Sequence, residues 1–260
     1  MKISELLKPE FVIADLNGDL HQDIFLIRAP WQVGFQDDIL LIAQESGFED
    51  RTSISNLDNP TSCRSGVSGD FDNDMDLDLY LVCSHWGVKG EGKEENLANI
   101  LYENIGDAKF KKMPNAGGAK GTTLGDGQSV TVADFDNDGF LDLFITNGNE
   151  LPGPNQLFRN NGNDNHWIEI DLIGTSSNRD GIGSVVMITS GNIKQIREQS
   201  GGMHTYSQNY QRIHFGVGKN TMVDSILVNW PNGNVDEIKN ISSDQILQII
   251  ESNFTNNTAN

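Results

Sequence analysis

Four aspartates crowd into nine residues of the segment ADFDNDGFLDLFITNG, residues 133–148. They are Asp134, Asp136, Asp138 and Asp142, at positions 1, 3, 5 and 9 of a short loop. Like charges this close repel one another, and burying them costs still more, so the pattern calls for a cation among them. Their oxygens and the carbonyl oxygen of position 7 are hard ligands, which Ca²⁺ binds in flexible geometries. Mg²⁺ requires a stricter octahedral arrangement. The loop is therefore predicted to bind calcium.

The same offsets occur in two other loops, at 15–23 and 70–78. The residue at position 7, whose carbonyl is expected to join each set, is His21, Asp76 or Phe140. The first two loops are predicted to use Asp15, Asn17, Asp19, His21 and Asp23, and Asp70, Asp72, Asp74, Asp76 and Asp78. Three loops with one spacing predict about three Ca²⁺ ions, and cancellation of the repulsion predicts a mainly structural role for them.

An EF-hand is the main alternative for such loops, and the spacing excludes it. An EF-hand needs glycine at position 6 and a bidentate glutamate at position 12, between two helices. Position 12 here is Leu26, Leu81 or Ile145, and only Gly139 provides glycine at position 6. The flanks DIFLI, DLYLV and DLFIT have the composition of strands. These loops are expected to lie inside β-hairpins.

Composition limits the class of protein. The 260 residues carry a net charge of −19 with a pI near 4.4, so nucleic acid and anionic membranes are not expected partners. No apolar run is long enough for a membrane span, and the first residues are too polar for a signal peptide. No histidine spacing predicts zinc, and no residue is predicted to be catalytic or to bind an organic cofactor.

The two cysteines flank the second loop, at Cys63 and Cys83. A hairpin would place them on paired strands, so a cross-strand disulfide is one alternative. Two reduced, buried thiols are the expected state.

The loops begin at 15, 70 and 134, intervals of 55 and 64 residues. Each is followed by a variable loop and a second strand pair, in segments 38–50, 99–110 and 155–164. Such a unit of four strands is the size of one propeller blade. Trp31 and Trp86 lie at matching places in the variable loops. They would form a ligand face for a sugar or a protein, or pack between blades.

These repeats resemble the calcium-binding FG-GAP (VCBS, integrin alpha-like) propeller repeat, D-x-[DN]-x-D-G-x-x-D. Leu20 and Met75 replace the usual glycine, and Asn17 replaces an acid. These departures are expected to distort or weaken their loops, so loops 70–78 and 134–142 should bind more tightly than loop 15–23. Beyond residue 164, the segments LIGTSSNRDGIGSVV, HFGVG and VNWPNGNVDEI resemble the ASPIC/UnbV domain, as in the cartilage acidic protein family.

The resemblance implies an all-β fold. We expect a partial β-propeller of about three four-stranded blades at 1–163, a β-sandwich-like domain at 164–251 and a flexible tail at 252–260. Three blades cannot close a ring, since propellers have about four to eight. The chain is therefore expected to be the C-terminal part of a longer protein, which would account for the missing signal peptide, or to close its ring with another copy.

The resemblance also implies a function. It favours adhesion or ligand recognition outside the cytoplasm, in the extracellular space, the periplasm or at the cell surface, with a protein or glycan partner. Two alternatives stay open: an accessory or cyclase-like enzyme of a biosynthetic pathway, as UnbV-type proteins suggest, and a propeller lectin. No acid–base pair in the sequence supports the enzyme.

Overall fold

The chain folds almost entirely as β-strands. The structure, a computed structural model, describes residues 10–28, 38–57, 63–83, 98–121, 127–148, 153–204 and 206–252. Within these ranges there is no α-helix, only two short 3-10 turns at Thr52–Ile54 and Pro114–Gly118. Accordingly, no helix in the described ranges has the length and apolar character needed to cross a membrane. The expected tail lies outside them, apart from Ser252.

Three sheets are simple antiparallel meanders, in which each strand pairs with the next along the chain. The first contains β1 (Glu10–Ala14), β2 (Asp23–Ile27), β3 (Ile39–Gln44) and β4 (Gly47–Asp50). The second contains β5 (Cys63–Gly69), β6 (Asp78–Cys83), β7 (Ile100–Asn104) and β8 (Phe110–Lys112). The third contains β9 (Gly127–Ala133), β10 (Asp142–Asn147) and β11 (Gln156–Phe158). The predicted blades are confirmed, although the described part of the third has three strands.

The three blades stack face to face, with the second in the middle. In β6 the side chains of Leu79 and Leu81 enter a core shared with the first blade, and those of Tyr80 and Val82 enter a core shared with the third. Alternate side chains of a strand point to opposite faces of its sheet. Every residue of β6 is buried for this reason. A strand covered on both sides reads as a continuous apolar run, as LYLV does here.

The outer faces of the first and third blades lack such cover in the described part of the chain. Phe11 and Ile13 on the first blade are 42% and 60% exposed, and Phe144 and Leu157 on the third are 41% and 55% exposed. Phe144 and Leu157 occupy the register positions of Tyr80 and Leu101, which the second blade packs against the third. The two outer faces therefore have the residue types of blade-to-blade contacts.

The remaining strands form two sheets around one core. The first has the order β17-β12-β20, with β12 (His166–Ile173) between β17 (Ile213–Gly218) and β20 (Gln245–Ile250). The second has the order β14-β13-β18-β19, from β13 (Val185–Ser190), β14 (Ile193–Glu198), β18 (Met222–Asn229) and β19 (Val235–Ser242). A short ribbon pairs β15 (Met203–His204) with β16 (Ser207–Gln208). Both larger sheets supply buried side chains to a single cluster, which confirms the β-sandwich-like fold.

Cys63 and Cys83 lie directly opposite each other on β5 and β6 and form a disulfide. The expectation of two reduced thiols is therefore wrong, and the alternative is correct. Opposite positions of antiparallel strands bring their side chains into the range that a disulfide spans. The bond connects the ends of the two strands farthest from the acidic loop.

Candidate metal centres

The three acidic loops connect equivalent strands in the same register. In each blade, the residue before the loop (Ala14, Gly69 or Ala133) pairs with the ninth-position aspartate (Asp23, Asp78 or Asp142). The first-position aspartate then accepts the backbone N–H groups of positions 5 and 6. These bonds are 3.1 and 2.9 Å for Asp15, 3.0 and 3.0 Å for Asp70, and 3.1 and 2.7 Å for Asp134. Equal spacing in the sequence therefore gives equal turns.

The ninth-position aspartates tie each loop to the third strand of its blade. Asp78 accepts the N–H of Phe71 in its own loop at 3.1 Å and the N–H of Asn104 on β7 at 2.8 Å. Asp23 and Asp142 make the corresponding pairs of bonds. Burial raises the pKa of all three carboxyls despite these bonds. The structure therefore gives the ninth position a structural role, and its predicted part in metal binding stays a prediction.

Positions 4 and 6 take left-handed backbone conformations in every loop. Position 6 has φ of 70° at Leu20, 89° at Met75 and 87° at Gly139. Residues with a Cβ are strained there, whereas glycine is not. Leu20 and Met75 are expected to distort or weaken their loops; both keep the turn that Gly139 adopts, and weaker binding stays a prediction. Replacing glycine by Leu20 or Met75 therefore strains the backbone at position 6 but does not change the path of the loop.

The second loop gathers the carboxylates of Asp70, Asp72 and Asp74, with ligand oxygens all within 4.8 Å of one another. Burial and the neighbouring carboxylates raise the pKa of Asp72 to about 6. For the same reasons the pKa of Asp76 rises to about 8. Its Oδ1 is buried, and no hydrogen-bond partner for it is found among the described residues. Several carboxylate oxygens close together, one of them buried without a hydrogen-bond partner, form a suitable site for a divalent cation.

The third loop gathers Asp134, Asp136 and Asp138 in the same way. Here a cation from the chain itself is present, because Arg159 contacts Asp136 through Nε and Asp138 through a terminal nitrogen at 2.6 Å. Arg159 precedes Asn160, which bonds to Asp142 as Asn104 bonds to Asp78, so its counterpart in the second blade is Glu103. Aligning NILYENIGD with NQLFRNNGN shows an arginine in place of Glu103, which is a sequence signal for an altered charge near this loop but does not reveal the contact.

The first loop has no comparable group of three acids. Its third position is Asn17, which donates from Nδ2 to Asp19 at 2.9 Å, and His21 Nδ1 lies 3.2 Å from the same carboxylate. Burial alone would raise the pKa of Asp19, but these contacts lower it. The negative charge of this loop is therefore partly satisfied from within. This agrees in direction with the predicted weaker binding, which stays a prediction.

The remaining predicted site residues divide into two kinds. Position 7 is placed alike in all three loops, because the N–H of His21, Asp76 or Phe140 donates to the fifth-position aspartate at 2.9–3.2 Å. Trp31 and Trp86, the predicted ligand face, lie outside the described residues.

The C-terminal sandwich rests on the second and third loops. Both His214 Nε2 on β17 and Asn73 Nδ2 in the second loop lie 3.0 Å from the carbonyl oxygen of Gly139. A Cβ at Gly139 would overlap the indole of Trp167, and a Cβ at Gly216 would overlap Asp70. These two close approaches explain glycine at both positions. No feature of the sequence linked the acidic loops to the second domain.

Comparison with known proteins agrees with this architecture. Residues 174–256 match the family model described as ASPIC and UnbV, and residues 90–145 match that of an FG-GAP-like repeat. The chain is similar to cartilage acidic protein 1 of Homo sapiens, with 28% identity over 194 residues, 74% of this chain and 28% of the relative. The proteins of the same name from Mus musculus and Xenopus tropicalis are 27% and 28% identical over 74% and 68% of this chain.

Each match takes in less than a third of the relative's length, 29% in mouse and 26% in Xenopus. The FG-GAP-like match includes only the third of the acidic loops. The first two loops resemble the third because they have the same strand register and the same turn. The resemblance indicated by the motifs is confirmed: an FG-GAP-like repeat region is followed by an ASPIC/UnbV region.

Proposed function

We propose that this chain is a calcium-binding recognition module of an extracellular protein, in which Ca²⁺ holds the propeller loops and the domain above them. The observation that carries the proposal is the second loop. There, four carboxylates lie close together, and burial together with mutual repulsion raises the pKa values of Asp70, Asp72 and Asp76 to about 7, 6 and 8. In the described part of the chain, none of the three is in an ion pair.

Calcium suits this loop better than other common ions. Its ligands are hard oxygens from flexible side chains, which Ca²⁺ accepts in irregular arrangements of six to eight. Soft metals would require thiolates, and the two cysteines are joined to each other. In the third loop Ca²⁺ would compete with the guanidinium of Arg159, and in the first loop it would find fewer acids. The second loop is therefore the strongest of the three proposed sites.

A structural role for the ion follows from what the loops support. Loops two and three carry the β-sandwich through the Gly139 carbonyl, Trp167 and Gly216. Cancelling the repulsion within the loops would fix this platform. The binding of a protein or glycan partner would then depend on calcium indirectly, through the placement of the two domains.

An oxidising, calcium-rich location supports the same proposal. A disulfide such as Cys63–Cys83 persists outside the cytoplasm, where calcium is also high enough for low-affinity modules. We therefore propose the extracellular space, the periplasm or the cell surface as the location of this protein.

The exposed outer faces of the first and third blades are proposed contact surfaces for further blades of the same kind. Ile13 on β1 and Leu157 on β11 are large apolar side chains exposed on these faces. Replacing both by lysine should abolish any self-association seen by sedimentation velocity and leave the thermal stability nearly unchanged. Association that persists in the double variant would contradict this assignment.

Calorimetric titration of chelator-stripped protein with Ca²⁺ tests the metal proposal. We expect about three sites, with the tightest lost in Asp72→Asn, and a melting temperature raised by calcium because a ligand that binds the folded state stabilises it. Asp180→Asn is the matched control, because Asp180 is exposed and lies away from the loops. A melting curve that is the same in EDTA and in calcium would overturn the proposal.

A further inference from the structure

A cavity of about 420 Å³ lies between the propeller and the β-sandwich. Its floor is formed by the ends of β1, β5 and β9, where the three acidic loops begin, and its roof by β14, Gln199, Ser200, Gly202 and residues 209–214. It therefore touches the first-position aspartate of every loop, Asp15, Asp70 and Asp134. Cavities of this size at domain interfaces are common sites for small molecules.

Most of the charged groups that line the cavity are already engaged. Both oxygens of each first-position aspartate accept N–H groups of their own loop. Glu169 accepts a hydrogen bond from Arg212 at 3.2 Å. Arg212 also donates to Asp171 at 3.0 and 3.2 Å and to Asn137 at 2.8 Å. The Arg212–Asn137 bond joins the two domains, and Arg212 and Glu169 have little capacity left for an organic ligand.

Of the two arginines that line the cavity, Arg197 is the less engaged. Its guanidinium stacks 5.0 Å above the ring of Phe215 and makes two hydrogen bonds, to the carbonyl of Ile196 and the side chain of Gln195 on its own strand. Among the described residues it forms no ion pair, although the charges of Asp70, Asp15 and Asp76 act on it. A guanidinium has five N–H donors in a planar fork that matches a carboxylate. Arg197 therefore lines the cavity as a half-buried cation with donors to spare.

The floor of the cavity also carries apolar side chains, among them Leu77, Val132 and Leu141. A cation near apolar side chains is complementary to an organic anion that has a carboxylate at one end and a hydrocarbon or aromatic group at the other. Inorganic anions would leave these apolar side chains without a contact.

The charge around the cavity depends on the loops. Five carboxylates line it, those of Asp15, Asp70, Asp134, Glu169 and Glu198, against two guanidinium groups. Without metal this surplus repels an anion. A divalent ion in each loop would add six positive charges beneath the floor and offset half of the charge that the twelve loop aspartates carry when ionised, which would reduce this repulsion. Because the aspartates are the first ligands of their loops, the cavity and the metal sites share these groups.

We infer that this cavity binds a small organic carboxylate, that Arg197 pairs with its carboxylate group, and that divalent ions in the acidic loops switch the binding on. The inference rests on the proposed calcium binding for its switch, whereas the pairing with Arg197 is a separate observation.

The test uses phenylacetate as the probe and the full chain, followed by ¹H–¹⁵N spectra in calcium and in EDTA. In calcium we expect saturable shifts at Arg197 Nε–H and at the backbone of β14. Binding should weaken about tenfold or more in Arg197→Gln, since a hydrogen bond to a charged group is lost. Neutral phenylacetamide should not bind, and chelation should weaken phenylacetate binding at least as much as the substitution.

Arg179→Gln is the matched control, since it makes the same change at an exposed arginine away from the cavity and should leave binding unchanged. Calcium stoichiometry and melting temperature show whether each variant is folded and loaded. Absent binding in calcium-loaded protein would overturn the inference and leave the proposed function standing. Equal binding in calcium and EDTA, in protein shown to take up calcium, would overturn the switch. If no calcium is taken up, the proposed function and the switch fail together, and Arg197→Gln alone decides the pairing.

Discussion

His214 Nε2 lies 3.0 Å from the carbonyl oxygen of Gly139, so the β-sandwich meets the third acidic loop at its sixth position. Asn73 of the second loop reaches the same oxygen at 3.0 Å. One carbonyl therefore joins both loops to the second domain. A change in the backbone path of either loop would therefore alter the contact between the two domains. The two loops and the domain interface form one structural unit.

Gly139→Ala should disrupt this junction. The new Cβ would overlap the Trp167 indole and would also hold a side chain at φ of 87°. We expect a loss of about 2–5 kcal/mol in the free energy of unfolding, from overpacking and backbone strain together. Gly18→Ala is the control, because Gly18 has φ of 76° with open space around it, so only strain of about 1 kcal/mol is expected. Equal losses in chemical denaturation of the two variants would show that the contact with Trp167 contributes nothing.

Arg159→Gln should strengthen metal binding at the third loop. The substitution removes a cation that contacts Asp136 and Asp138 and that a metal ion would have to displace or tolerate. Because the pair is exposed, we expect a gain of about two- to fivefold in affinity. The amide signal of Gly139, read during calcium titration, reports this loop separately. Arg179→Gln should have no effect, and weaker binding in Arg159→Gln would show that the guanidinium supports the loop.

The metal-free protein should lose stability as the pH rises from about 4 to 8. The folded pKa values of Asp70 and Asp76, about 7 and 8, lie above their ordinary value of 3.8. The folded state therefore binds more protons than the unfolded state in this range, and the free energy of unfolding falls with rising pH. Calcium should remove the trend by holding the carboxylates ionised in the folded state. Melting temperatures measured in EDTA from about pH 4 to 8 test this prediction. A melting temperature that stays constant or rises with pH would contradict it. In Asp76→Asn the melting temperature should depend less steeply on pH.

Replacing both Cys63 and Cys83 by alanine should destabilise the second blade. A disulfide closing a loop of this length contributes about 2–4 kcal/mol, chiefly by restricting the unfolded chain. The melting temperature should fall by roughly 4 to 16 °C. A reductant should lower the wild-type value to that of the variant and leave the variant unchanged. A wild-type protein that reacts fully with a thiol reagent after denaturation without reductant would show that the bond is absent.

The parts of this fold that could be predicted are those encoded locally. The offsets of Asp70, Asp72 and Asp74 determine a turn, and the apolar run after Asp78 determines a buried strand, because both depend on neighbours in the chain. The contact of Arg159 with the third loop and the close approach of Trp167 to Gly139 depend on segments that only tertiary packing brings together. The cysteine spacing predicted a cross-strand pair, but their oxidation depends on the solvent and so could not be deduced from spacing.

The middle position of β6 has a consequence for dynamics. Since Leu79 and Tyr80 belong to two different cores, this strand cannot be released without separating all three blades. Its backbone amides should accordingly exchange with deuterium only through complete unfolding of the propeller, whereas those of β4, whose residues are all exposed, should exchange through local fraying. The slowest amides of β6 would thus measure the cooperativity of the whole assembly.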